Sequence, residues 1–487
     1  MLTRLEHKLP MLLGAMLLLF VILRVFLATL SEDSAMTVDI HVVRSWKDIL
    51  LCTDKRLDWS ANNHILNTIL IKLEIMIFGF KDWAIRLHGI VAFIIAFVYA
   101  QKIIQIFCSS KFREFFYLSL IFLNHYFLEF FGLARGYGMC MAFFIMAFYN
   151  FIQYRQSLSL KHLNWFLLSI FLSVWSNFSA LYFLGLLSFA LFQIQFSNYK
   201  KKGMSIHVFV SVISFILILA VVSVPLLKTL KFGEPFGGHN GFFQDTIVFS
   251  IYQWFHFNVA LDRHLVLANG WRLVEVLGLL GLLIYIGLQV SSLFFKKHFS
   301  AQRLHWTLLY LVFGAILIIE LLFHFFNTPY PLGRTALLFS IPIMLSVCVA
   351  YERMITKVRG GRILSISILA FLLWHFVMCL NFETTIEWWG NGDGKVISTY
   401  IKTELKKNKN LNNLKLGIEQ EEHNSMFFYT KYDPYIRSKM STHFFNISSI
   451  PNYDYLVVTK KWNDKIPKQY ILEKEFKRAN LYRLKNE

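Results

Sequence analysis

About eleven runs of apolar residues, most of them near twenty long, recur along this 487-residue chain. A bilayer core takes about 20 helical residues to cross. Backbone in lipid must also satisfy its own hydrogen bonds. Together these requirements leave a bundle of transmembrane helices as the fold. Composition agrees, with 56% hydrophobic, 17% aromatic and 16% charged residues, where soluble domains carry roughly 25% charged residues. The runs predict spans near 10–30, 84–106, 114–132, 135–153, 163–177, 179–197, 205–227, 271–294, 305–326, 335–352 and 363–381.

Short basic clusters separate the runs. With the N-terminus cytoplasmic, Lys102, Lys111 and Arg113, then Arg155 and Lys161, then Lys200, Lys201 and Lys202, all fall on the cytoplasmic side. So do Lys296, Lys297 and Arg303, and the group Arg353, Lys357, Arg359 and Arg362. This one-sidedness is the positive-inside pattern, and an odd span count sets the C-terminal part outside. The net charge of +19 therefore reads as topology rather than nucleic-acid binding, which would gather charge on one soluble face. Part of the excess suits anionic lipid. None of the five cysteines forms a CxxC pair, so no disulfide framework or zinc site is implied. The basic N-terminus without a small-residue cleavage pattern reads as a retained first span. No Walker A, GxSxG, HExxH or dinucleotide fingerprint occurs, which removes support for ATP-driven pumping and soluble-type hydrolysis.

Three segments on the outer side stand out. In 31–83, the run Ile65 to Phe80 is apolar but short, with His64, Asn67, Thr68 and Lys72 on one helical face. That pattern predicts an interfacial helix lying on the bilayer, with 36–49 a weaker second candidate. The glycine-rich stretch 233–241 within 228–270 reads as irregular, mobile loop, and the loop as a lid over a membrane site. From Phe382 the composition shifts to Lys, Asn and Glu. The tail predicts a small α/β domain, with a helix over 396–406 and strands over 414–419, 455–459 and 480–484. The fold class is thus an all-α polytopic membrane domain, 1–381, with an extracytoplasmic α/β domain, 382–487.

Asp33 follows the first span directly. A carboxylate there can take a proton from a hydroxyl or amine, whereas an ordinary loop carboxylate is simply solvated. His64 and Asn63 head the amphipathic helix, where a helix N-terminus favours anions and an asparagine also serves as a cap. Arg86, Arg135 and Arg334 lie at span ends on the side opposite the basic clusters. Such arginines either snorkel or hold an anion such as a phosphate. Glu129 is a candidate partner for Arg135.

Several segments in this order resemble the GT-C superfamily of integral-membrane glycosyltransferases, which includes protein O-mannosyltransferases and the bacterial aminoarabinose transferase of lipid A. Ser31-Glu32-Asp33-Ser34-Ala35 is similar to the family's Asp-Glu-Ala stretch, with Asp33 in the Asp position. Ala61-Asn62-Asn63-His64-Ile65-Leu66 resembles the opening of the interfacial helix. Phe80 to Leu87 looks like the approach to the second span. Leu133-Ala134-Arg135-Gly136-Tyr137-Gly138 resembles the Ala-Arg-x-Tyr segment, and Tyr330 to Leu337 the later arginine segment. Ser34 replaces the family's second acid, and Asn63-His64-Ile65 stands where relatives carry His-Pro-Pro.

The resemblance implies inverting transfer of a monosaccharide from a polyprenyl-phosphate donor to a lipid, glycan or protein acceptor at the outer face. It implies Asp33 as general base, and Arg135, Arg334 and His64 as donor-phosphate ligands. Asn63, Tyr137, Asp39 and Arg86 are secondary substrate-binding candidates. No cofactor or resident metal is implied, a divalent ion being left open, and the membrane would be a bacterial inner membrane. A transporter or flippase for lipid-linked glycans, or a non-catalytic family member, are the rival readings. Transporters usually place their polar residues near the bilayer midplane, in repeated halves.

Overall fold

The computed structural model describes residues 6–51, 64–202, 206–232, 237–254, 280–281, 283–290, 299–355, 360–388, 392–408, 411–419, 423–448 and 450–485. Among these, seven helices are long and apolar enough to cross a membrane. They are Leu9–Leu27, Ala84–Phe107, Phe178–Asn198, Ile206–Leu227, Gln302–Phe326, Gly333–Ile355 and Gly361–Met378. Two further helices, Tyr137–Ser157 and Leu160–Ser176, stand where spans were expected. The first is walled in by protein along most of its length. The expected span 271–294 falls largely outside the described residues.

One expected span differs. Instead of one helix over 114–132, Lys111–Phe122 and His125–Gly132 meet at a bend of 73°. The cause is Asn124, whose Oδ1 accepts from Phe127 N at 3.1 Å and so caps a new helix. Asparagine competes with helix continuation in this way. The bend carries Tyr126 and Glu129 into the end of the bundle that holds the site.

The two ends of the bundle have separate polar locks. At one, Arg113 pairs with Glu352 at 2.9 Å and Arg155 donates to Thr307 Oγ1 at 2.7 Å. These arginines belong to the basic clusters. At the other end Arg24, fully buried, pairs with Glu129 at 3.5 Å and donates to the carbonyls of Asn381 and of Thr384, the latter at 2.8 Å. Glu129 also accepts from Ile386 N at 2.9 Å. A buried ion pair holds only when its remaining donors and acceptors are met. Here the chain that follows the last helix meets both terminal guanidinium nitrogens of Arg24 and one oxygen of Glu129.

The amphipathic helix forms as Ile65–Phe78 and ends at Gly79, φ +76. Its polar side turns inward: His64, Asn67 and Thr68 are buried, while Met76 and Ile77 are 70% and 72% exposed. An apolar stripe left open on a membrane protein suits a helix lying along the bilayer surface. His64 is its N-cap residue, without a side-chain cap bond. Asn62 and Asn63 lie outside the described residues. The weaker candidate, 36–49, is three short pieces: Glu32–Met36, a π-helical turn Thr37–Val42, and Trp46–Leu51.

The tail is a five-stranded mixed sheet of order β2-β1-β3-β5-β4, with β1 Leu414–Glu419, β2 Met440–Phe445, β3 Tyr455–Thr459, β4 Tyr470–Glu475 and β5 Ala479–Leu484. Strands β1 and β2, and β1 and β3, run parallel; β3–β5 and β4–β5 are antiparallel. Helices Gly394–Lys407, His423–Lys431 and Pro434–Lys439 accompany it. All three expected strands and the expected helix are present; β2, β4 and the two short helices were not foreseen.

Candidate active site

Asp33 lies in the short helix Glu32–Met36, which Ser31 caps by accepting from Ser34 N at 3.3 Å. Ser34, at the position of the expected second acid, is fully buried and bonded to Ser31 Oγ at 2.7 Å. A second carboxylate there would be stranded without water. The helix continues into the π-helical turn, and Thr37 Oγ1 donates back to Asp33 O at 2.8 Å.

Two arginines converge on Asp33. Arg135 Nη2 and Arg334 Nη2 each lie 3.4 Å from Asp33 Oδ2. Both guanidiniums are largely enclosed rather than snorkelled, with side chains 1% and 13% exposed. Arg135 also donates to Thr37 Oγ1 at 3.0 Å. Its expected partner, Glu129, is instead committed to Arg24, because the bend at Asn124 turns Glu129 toward the first helix.

The backbone around Arg135 is fixed from two sides. Asn67 Nδ2 donates to Ala134 O at 3.1 Å, and His88 bridges Asn67 Oδ1 at 2.9 Å to Glu74 at 3.0 Å. Gly136 sits so close to the next turn that a Cβ there would lie 2.0 Å from Ser176 O and 2.8 Å from His64 Cβ. The ring of His64 meets Tyr137 edge-on at 4.9 Å, and Tyr137 lies 5.9 Å below the Arg135 guanidinium. Burial, then the charge of Arg135, holds His64 well below the ordinary imidazole range. The same two causes, in that order, push the buried His41 down to about 3. Burial and the neighbouring Arg135 thus disfavour a positive charge on either ring.

Arg334 is held from the other side. Its Nη1 pairs with Glu387 Oε2 at 2.9 Å, its backbone N donates to Glu387 Oε1 at 3.1 Å, and its guanidinium lies 5.1 Å over Trp388. Tyr126 donates to Glu387 Oε1. The preceding Gly333 has φ +55, and a Cβ on it would lie 3.0 Å from Glu387 Oε1 and 3.2 Å from Phe249. Only glycine takes that conformation and that space together. The described part of the 228–270 loop covers this turn. Gly238 and Tyr330 exchange backbone bonds at 2.9 Å, and Thr246 Oγ1 donates to Pro331 O at 2.7 Å. Residues 237–241 carry no regular structure beyond the bridge at Gly238, and the helical turns Phe242–Val248 and Phe249–Trp254 follow. Residues 233–236 and 255–270 lie outside the described residues.

The structure therefore brings Asp33, Arg135, Arg334, Tyr137 and His64 into one cluster. It places two expected residues elsewhere. Asp39 is bound by Lys431 and by Tyr432 OH, the latter at 3.1 Å. Arg86 is spent on Asp82 O at 2.8 Å and Ala28 O at 3.0 Å. The reading of the sequence missed Glu387, Trp388, Tyr126 and Thr37. Glu387-Trp388, an acid and an aromatic directly beyond the last span, carried a readable signal. Tyr126 carried none. Among the described residues no group of three or more His, Cys, Asp or Glu is arranged to hold a metal ion.

A helical bundle, a carboxylate-bearing first loop with an interfacial helix, and a small C-terminal sheet define a polytopic membrane protein of the GT-C fold. In particular, the chain is similar to ArnT from Cupriavidus metallidurans, solved bound to undecaprenyl phosphate, with TM-score 0.50, 10% identity and 97% of each chain covered. It also matches ArnT of the same organism in the apo state, with TM-score 0.44 and 11% identity over 97% of each chain. A third match is arabinosyltransferase EmbB from Mycobacterium smegmatis, with TM-score 0.43 and 12% identity, covering 74% of this chain and 32% of that one. No protein-family model matches the sequence, and no curated protein does.

Proposed function

We propose that this protein transfers a monosaccharide from a polyprenyl-phosphate donor to a lipid, glycan or protein acceptor at the outer face of a bacterial inner membrane, with inversion. The observation that carries the reading is Asp33 Oδ2 held between Arg135 and Arg334, 3.4 Å from each, at the bundle end where the amphipathic helix lies. The same fold in ArnT was solved with undecaprenyl phosphate bound, which supports a lipid phosphate as the ligand of the two arginines.

The chemistry follows from the charges. Two guanidiniums so close together need an anion between them, and guanidinium matches phosphate as well as carboxylate. An arriving donor phosphate takes over their donor edges and frees Asp33 Oδ2. Asp33 then accepts the proton of the acceptor hydroxyl or amine. The acceptor atom bonds to the anomeric carbon as the bond from that carbon to the phosphate oxygen breaks. The electron pair leaves on the lipid phosphate, whose growing charge Arg135 and Arg334 stabilise. Glu387 and Tyr126 keep Arg334 in place throughout.

The test is transfer by purified Asp33→Asn from a panel of polyprenyl-phosphate monosaccharides, beside the wild-type chain, with acceptors taken from envelope extracts. Loss of a general base predicts a fall of roughly 10²–10⁴-fold, read on variant protein shown by its melting curve to be folded, since Asn also removes the anion between the two arginines. Near-normal turnover by the folded variant would sink the assignment.

A further inference from the structure

A chain of polar groups ends at the carbonyl that precedes Arg135, and the donor sense of each link is fixed by its neighbours. Asn67 Nδ2 donates to Ala134 O at 3.1 Å, so the atom that faces His88 Nε2 at 2.9 Å is the amide oxygen. An amide oxygen only accepts, so Nε2 carries a hydrogen. Across the ring, Nδ1 lies 3.0 Å from Glu74 Oε2 and 3.2 Å from Oε1. Oε1 also accepts from the His88 backbone N at 2.8 Å. A bare Nδ1 would set acceptor against acceptor, so a second hydrogen lies between the ring and the carboxyl group. The pair therefore holds one proton more than a neutral imidazole beside a carboxylate. With the two side chains 6% and 14% exposed, water does not readily replace either partner, and removing one strands the other.

Three elements meet at this ring. Asn67 and Glu74 stand about two turns apart on the helix Ile65–Phe78, and His88 engages both. His88 itself lies near the start of the span Ala84–Phe107. The next residue, Gly89, approaches the turn Phe130–Gly132 so closely that a Cβ on it would lie 2.0 Å from Phe131 O. That turn leads directly to Ala134 and Arg135. The neighbouring charges on these segments are committed elsewhere, Arg86 to Asp82 at 3.7 Å and Glu129 to Arg24 at 3.5 Å. The link from His88 through Asn67 therefore joins the interfacial helix and the span to the backbone that carries Arg135.

We infer that His88 is a positioning residue for Arg135, acting through Asn67 and the Ala134 carbonyl to hold the turn that presents the guanidinium to the donor phosphate. Glu74 fixes the ring in that role. Resting on the function proposed above, this assigns the pair to donor binding, at one remove from the phosphate itself.

The experiment measures binding of undecaprenyl phosphate to the full chain in detergent, so that affinity is read without sugar transfer. His88→Leu should weaken binding roughly tenfold or more, since a small misplacement of a charged group is costly. On an Arg135→Ala background the same change should cost less than about twofold, because the residue it acts through is gone. Glu74→Gln should keep most of the wild-type affinity. Its amide can donate to Nδ1 while its oxygen still accepts from the His88 backbone N, so a neutral imidazole completes the chain. Glu74→Leu offers neither group and should weaken binding, which carries the same cycle if His88→Leu does not fold. Amides 133–137 should exchange faster with deuterium in the two leucine variants and stay slow in Glu74→Gln. Equal losses on the wild-type and Arg135→Ala backgrounds would overturn the positioning role, and so would wild-type affinity in a folded His88→Leu. Wild-type chain that binds undecaprenyl phosphate and transfers no sugar would reject the proposed function and leave the role of His88 standing.

Discussion

At the scale of single residues, Arg334 concentrates the geometry of the site. One end of its guanidinium faces Asp33 at 3.4 Å, the other meets Glu387 at 2.9 Å, and its flat face lies over Trp388. A planar fork with several fixed donors can do all three, and a lysine ammonium can do only one of them at a time. Arg334→Lys keeps the charge and loses the bridging. The expected result is a fall in kcat/KM for the lipid-linked donor of roughly 10–100-fold, about 1.4–2.7 kcal/mol of transition-state stabilisation. Donor titration of the purified variant checks it, and wild-type values would show that charge alone suffices at this position.

At the scale of elements, the close approach at Gly136 sets where Arg135 points. The turn that carries Arg135 is pinned between Ala134, whose carbonyl Asn67 holds, and Gly136, which touches the end of the neighbouring helix at Ser176. A methyl group there meets a backbone oxygen, which cannot move as a side chain can. Gly136→Ala should therefore displace the turn, costing about 1–3 kcal/mol as overpacking usually does, and should lower transfer although no catalytic atom changes. A melting curve beside a transfer assay checks both effects. An unshifted melting temperature would mean that the turn has slack.

The same scale shows what sequence patterns reveal. Spans were legible because twenty apolar residues have few alternatives. The bend at Asn124 was not, because one asparagine in an apolar run caps a new helix only if the chain turns there. In the tail, the strands read correctly are the interior β1, β3 and β5, and the two missed, β2 and β4, are the sheet's edges. Edge strands carry polar and charged side chains that discourage pairing with other chains. Glu473, Lys474 and Glu475 in β4, and Ser441, Thr442 and His443 in β2, erase the hydrophobic signal accordingly.

At the scale of the whole molecule, the tail and the first loop are one packed unit, and this was the least legible part of the site. Arg24 meets carbonyls more than 350 residues away, and nothing local to either segment announces the contact. The tail grips the site loop along its length. Ser425 Oγ donates to Leu30 O at 2.8 Å, Leu30 N donates to Tyr429 OH at 3.0 Å, and Lys431 holds Asp39. Phe428, buried at 4% exposure, joins Leu30, Ala35, Val38 and Val42 in one apolar cluster that also takes in Ala134. That cluster lies under both Asp33 and Arg135 without touching substrate chemistry. Phe428→Ala empties it, and deleting a buried aromatic costs about 3–5 kcal/mol. If the tail serves to hold Asp33 and Arg135 in register, the variant should lose tenfold or more in transfer. Backbone amides from 30 to 42 should exchange faster with deuterium, while amides of β1 and β3 keep their protection. Slow exchange in the loop together with wild-type transfer would show that the membrane bundle positions Asp33 without the tail. Faster exchange through β1 and β3 as well would trace the loss to unfolding of the tail rather than to its grip on the loop.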